Sequence, residues 1–167
     1  MENLVSYFAT HLSGLISKES IIFIISLMPV LELRGGLLAA SILDVSYIRA
    51  LLICIVGNLL PIPFVLLFIS HIVEFLERFS VTKGIALMLR TKVEKNKKAI
   101  EKYDFWGLVL FVGIPLPGTG AWTGSLAAGL LHMNWKKAFP AIIVGILLAS
   151  VIMSVISYGA LGLVLRG

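Results

Sequence analysis

The chain has 167 residues, of which 59% are hydrophobic and only 14% charged, with a formal net charge of +5. Soluble domains carry about 45–50% apolar and about 25% charged residues. The excess is too large for one small core, so the chain reads as a single integral membrane domain, 1–167. Cys54 is the one cysteine, which excludes a disulfide framework or a cysteine metal site within one chain.

At the N-terminus, Leu4, Phe8, Leu12 and Leu15 recur at helical spacing with Glu2, Asn3, Ser6, Ser13 and Ser17 between them. This predicts an amphipathic helix over 1–17 lying in the membrane interface. An acid and no base precedes its apolar part, the reverse of a cleavable signal, so the segment is expected to stay in the mature protein. Four apolar regions follow, at 20–43, 48–76, 105–131 and 138–165, each long enough to span a bilayer as helix. Two of them are broken. The first is interrupted by Pro29, Glu32, Arg34, Gly35 and Gly36; the third carries GIPLPGTGAWTG at 113–124. Proline removes a helical hydrogen bond and glycine favours other torsions, so neither should persist as continuous helix.

Between the halves, 78–104 holds eight of the fourteen basic residues. The positive-inside rule puts this loop in the cytoplasm. A solvated helix face beside anionic headgroups explains it better than a nucleic-acid site, and Glu94 before Lys98 supports helix there.

Sliding the chain by 88 residues without gaps aligns the two broken segments. Pro29 meets Pro117, Gly36 meets Gly124, and Leu38-Ala39-Ala40 meets Leu126-Ala127-Ala128. The match runs on through Leu43/Leu131, Ala50/Ala138, Ile55-Val56-Gly57/Ile143-Val144-Gly145 and Leu59-Leu60/Leu147-Leu148, with Tyr47 opposite Trp135. An internal repeat follows, 20–76 and 105–165. If each broken segment dips in and returns to its own side, the repeats are inverted; if each crosses, they are parallel. Charge does not decide: both arrangements leave ten basic residues on the loop side and three on the other, with Arg34 inside. Irregular backbone at depth is tolerated where it lines a cavity, and paired broken segments mark transport sites. The expected architecture is therefore all-α: two inverted repeats, each a re-entrant helical hairpin followed by a transmembrane helix, plus the N-terminal amphipathic helix.

A charge at bilayer depth costs a few kcal/mol and is rarely idle. Glu32 and Arg34, in a turn between Pro29 and Gly35-Gly36, are expected to face a water-filled cavity at a hairpin tip. The structural alternative is an ion pair, with each other or with the facing repeat, that holds the hairpin down. In the second tip, Pro117, Gly118, Thr119, Gly120, Trp122, Thr123 and Gly124 carry no charge. Half-helices starting near Gly36 and Gly124 would aim their positive ends at the tips. With Arg34 and the threonine hydroxyls they suit an anion such as a phosphate headgroup, close helix packing being the other role for the glycines. Asn58, before LLPIP, is a weaker candidate for the same cavity, and Pro140 reads as structural. His11, His71 and His132 have no metal spacing, Asp44 and Asp104 read as boundary residues, and no nucleophile–base motif points to an enzyme.

ELRGG at 32–36 with IPLPGTGAWTG at 114–124 resembles the small multidrug export protein family, over roughly 20–160. That family is similar at a distance to the DedA (VTT-domain) superfamily. The resemblance implies inverted repeats with re-entrant hairpins and, by analogy, movement of phospholipid or polyprenyl-phosphate carriers in a prokaryotic inner membrane. DedA-type proteins carry acids in the first hairpin, matched by Glu32, and arginines in the second, where this chain has Trp122 instead. The expected function is a transporter of an anionic amphiphile or lipid, with Arg34 and the glycine tips on the phosphate and Glu32 exchanging a proton. A cationic-drug exporter binding through Glu32 is the rival, and a non-transporting membrane scaffold the third reading. No cofactor is expected; the partners are the lipid bilayer, the amphiphilic substrate and a second copy in a homodimer.

Overall fold

The protein is known from a computed structural model describing residues 17–160, and the side chains of all of these but 92, 95, 96, 98, 99, 101–103 and 160. The predicted interfacial helix thus lies, but for Ser17, outside the described residues. Within them every regular element is helical. Helix α1 (Lys18–Leu27) starts on Ser17, whose Oγ accepts the Ser20 N–H at 3.2 Å. It stops at Met28, extended at φ −71°, ψ 136°, as the residue before a proline tends to be. Helix α2 (Glu32–Ile42) runs back alongside, and Lys18 Nζ closes the base by donating to the Leu43 carbonyl at 2.8 Å.

Helices α3 (Tyr47–Leu59) and α4 (Ile62–Glu77) form one apolar rod, interrupted at Leu60–Pro61. In α5 (Lys83–Gly113) a basic stretch and an apolar arm meet at a bend at Asp104, φ 44° and ψ −114°. There Asp104 accepts from Lys137 Nζ at 3.0 Å. On the basic stretch Glu94 pairs with Lys97 at 3.6 Å, and Arg90 grips Glu77 at the end of α4. Helices α6 (Ala121–Leu130) and α7 (Trp135–Ser154) complete the set, α7 ending in a wider π turn, Val155–Ala160.

Among the described residues, two stretches are long and apolar enough to cross a membrane, Tyr47–Glu77 and Trp135–Gly159, each with mean hydropathy 2.6. The hairpin helices are not. With 10, 11 and 10 residues, α1, α2 and α6 measure about 15–17 Å, half a hydrocarbon core of about 30 Å.

The 88-residue correspondence reappears in cap geometry. Leu43 N–H bonds Ala39 and Ser41 carbonyls; Leu131 N–H bonds Ala127 and Gly129. Asp44 and His132 both turn left-handed, at φ 55° and 52°. Val45 N–H then returns to Ala40 at 3.0 Å, and Met133 N–H to Ala128 at 2.9 Å. In the preceding arms the ungapped register fails. A Cβ on Gly57 would meet the Phe23 carbonyl and Ser26 Cβ, each at 3.0 Å; on Gly145 it would meet the Val109 carbonyl at 3.0 Å and Val112 Cβ at 2.6 Å. Phe23 and Val109, like Ser26 and Val112, are 86 apart. The second tip, 114–120, is longer than the first, 28–31, and absorbs the slip.

Both hairpins pack on α7 around one core that includes Leu33, Leu37, Val112, Ile142 and Ile146. The base of the first is tied to the C-terminal end of α7: Tyr158 Oη donates to the Val45 carbonyl at 3.1 Å, and Ser41 Oγ to the Ser157 carbonyl at 3.0 Å. The base of the second is tied to the N-terminal end by Lys137 and Asp104.

Candidate functional site

The tips of the two hairpins meet. Glu32 opens α2 at φ 53°, a left-handed conformation uncommon for residues other than glycine. Its carboxylate reaches the second hairpin, accepting the Ala121 and Trp122 N–H groups at 3.0 Å each. These are among the first amides of α6, which lack partners inside their own helix. Their cap residue, Gly120, has no side chain to serve them; its φ of 138° favours glycine, and a Cβ there would run into the Glu32 carboxylate. Glu32 thus caps a helix 89 residues away, its charge set against the positive end of the helix dipole.

Arg34 serves the opposite pole. Its Nη1 donates to the Leu116 carbonyl at 3.0 Å, and its Nη2 lies 3.2 Å from the Ile114 carbonyl and 3.1 Å from Thr119 Oγ1. Val112 O is a longer third neighbour of Nη2 at 3.5 Å. The guanidinium therefore covers the carbonyl end of α5, where the dipole is negative. Thr119 braces the tip, its hydroxyl 2.9 Å from both Ile114 and Leu116 carbonyl oxygens and accepting the Leu116 N–H at 3.2 Å. Trp122 answers from the other side, its Nε1–H donating to the Leu27 carbonyl, the last of α1, at 3.1 Å. Arg34 and Trp122 are 88 residues apart. Equivalent positions thus reach across to the carbonyl end of the opposite first arm, one with a guanidinium and one with an indole.

Glu32 and Arg34 are 5% and 9% exposed, so the clasp is nearly dry. Beside it opens a cavity of about 350 Å³, where Glu32, Arg34, Pro117, Gly118, Thr119 and Thr123 are joined by Val30, Leu116, Met153 and Ile156.

The predicted residues divide accordingly. Glu32, Arg34, Pro117, Gly118, Thr119 and Thr123 come together at the cavity; Gly120 and Trp122 belong to the clasp. Gly35 and Gly36, expected at the first tip, instead lie buried inside α2, because the helix starts at Glu32. Likewise α6 begins at Ala121 rather than near Gly124, whose missing Cβ makes room for Val112. These three glycines have the packing role. Asn58 is buried and does not line the cavity; its Oδ1 has no partner among the described residues. The helix end and the guanidinium foreseen as free at the tips are both engaged, α6 by Glu32 and Arg34 by carbonyls. Sequence reasoning missed Val30, Leu116, Met153 and Ile156. Leu116 stood inside a motif read for its glycines, and Met153 and Ile156 carry no signal within an apolar helix.

A family model described as "Putative small multi-drug export protein" matches residues 32–152. A search of curated proteins gives no match, and a search of solved structures gives none.

Proposed function

The chain belongs to the putative small multi-drug export protein family, and from that premise we propose that it carries a small anionic amphiphile across a membrane through the cavity at the crossed tips. The observation that carries this reading is the clasp: two buried charges of one hairpin capping both poles of the other, beside a cavity of about 350 Å³. The family supports export; the charge of the cargo is argued from what the clasp leaves behind. When Glu32 departs, the amides of α6 and the guanidinium of Arg34 remain, a positive pair with no carboxylate. A phosphate or carboxylate head takes the place of Glu32, and the tips part around it. Protonating Glu32 weakens the same contact, which makes it the point where a proton couples to transport.

In the membrane the two hairpins dip in from opposite faces as inverted, re-entrant repeats. Their helices of about 15–17 Å and their attachment to opposite ends of α7 support that arrangement. The basic stretch of α5 then faces the cytoplasm of a prokaryotic cell, beside the inner membrane. Two copies working side by side complete the reading.

Substrate uptake into proteoliposomes, wild type against Glu32→Gln, tests it. With its internal competitor weakened, the variant should bind an anionic amphiphile about tenfold more tightly, near 1.4 kcal/mol, and lose acceleration by a pH gradient. The rival, a cationic drug held by the Glu32 carboxylate, demands the opposite: weaker binding of cations and no gain for anions. Tips held together by a reducible cross-linker between Val30→Cys and Thr123→Cys, with Cys54→Ser, should stop transport until reduced. Full transport with the tips joined would sink the clasp as the moving part.

A further inference from the structure

Adjoining the tip cavity runs a second hollow of about 670 Å³, which Met153 and Ile156 do not line. It is lined by Phe64, Phe68 and Ile72 of α4, Leu89 of α5, and Trp122 and Leu126 of α6. We infer that this trough is the subsite for the hydrocarbon portion of the transported amphiphile, whose head lies in the tip cavity. The inference rests on the proposed function and extends it from a headgroup to a two-part substrate.

Continuity between the hollows carries the argument. Pro29, Val30 and Thr123 line both, so a molecule lying across Val30 touches the charged cavity at one end and the trough at the other. Beyond Thr123 the trough's lining is apolar but for the indole N–H of Trp122, and that is engaged by Leu27. Each hollow has the size of a site for a small ligand, about 300–1,000 Å³. Trp122 couples the trough to the clasp: it lines the trough, its Nε1 holds α1, and its backbone N–H holds Glu32. A tail pressed against Trp122 bears on the residue whose N–H makes the contact that must break. Head and tail therefore act on the same latch.

The test uses the full chain in zwitterionic nanodiscs, with Trp106→Phe and Trp135→Phe leaving Trp122 as the reporter. Probes are two series with tails of six, ten and fourteen carbons, one of alkyl phosphates and one of alkyltrimethylammonium salts, each brominated at the tail end to quench the indole. Affinities are taken per mole fraction of probe already in the bilayer, which removes ordinary partitioning, and on that scale the fourteen-carbon phosphate should bind about threefold more tightly than the six-carbon one. Ile72→Phe with Leu89→Phe narrows the trough without touching the clasp. It should reduce that length dependence and leave the six-carbon phosphate bound as before. Length dependence unchanged by the narrowed trough would overturn the inference. Equal length dependence in both series, reduced on narrowing, upholds the trough while removing the anionic head from the proposed function.

Discussion

Position 34 and position 122 answer one requirement with two chemistries. Each must satisfy carbonyls at the end of the opposing arm, where about four have no partner inside their helix. Leu27 receives the indole N–H; the second tip presents Ile114 and Leu116 together, and the guanidinium fork of Arg34 serves both. The energetic consequences differ. Trp122→Phe loses one neutral hydrogen bond and should cost about 1 kcal/mol. Arg34→Met strips a buried charge from several acceptors and should cost about 2–5 kcal/mol. Unfolding in mild detergent measures both, and equal losses would mean that Arg34 is solvated rather than engaged. Both charges stood out in the sequence because carboxylate and guanidinium are conspicuous in an apolar run. Asn58 stood out by the same signal and proved to lie away from the cavity. Polarity in a greasy helix reports burial; it does not report which neighbour the side chain faces.

Among the elements, the repeat was legible where helix packing repeats and illegible where the tips diverge. Leu38-Ala39-Ala40 and Ile55-Val56-Gly57 recur because α2 and α3 pack as α6 and α7 do, down to the left-handed turns at Asp44 and His132. The arms slip by two residues because the second tip is longer, and an ungapped comparison cannot register that. Pro29 obscured it further, since Pro115 and Pro117 offer matches in either register. The slipped register makes a specific prediction. A Cβ on Gly124 would lie 2.5 Å from Val112 Cγ2, with nothing else nearer than 3.5 Å. Gly124→Ala should therefore cost about 1–3 kcal/mol through overpacking. Val112→Ala should cost less in that background than in the wild type, a favourable coupling in a double-mutant cycle. Additive losses would put Gly124 against some other neighbour and return the arm to the ungapped register.

For the molecule as a whole, hydropathy showed which stretches are apolar but not which of them turn back. Counting charges left ten basic residues on the loop side under either topology, since moving Lys136 and Lys137 in exchange for Lys18 and Arg166 changes no total. Contacts at the ends of α7 support the re-entrant arrangement proposed above. Val45 meets Tyr158 at one end, and Asp104 meets Lys137 at the other. The 21 steps from residue 137 to 158 rise by about 31 Å, which is about the thickness of a hydrocarbon core. Hairpins half that length, rooted at opposite ends, must meet near the middle, as Glu32 and Ala121 do. It follows that Arg49 and Lys137, equivalent in the repeat and both exposed, should emerge on opposite faces of the membrane. In a Cys54→Ser background, a membrane-impermeant thiol reagent outside intact cells should label Arg49→Cys. It should reach Lys137→Cys, and Thr91→Cys on the basic stretch, only after lysis. Losing the exposed Lys137–Asp104 pair costs little, so the substitution leaves the fold in place. Labelling of Arg49→Cys and Lys137→Cys from the same side would mean that the hairpins cross rather than return. The clasp would then join two parallel repeats, and its charges would have no opposed dips to open.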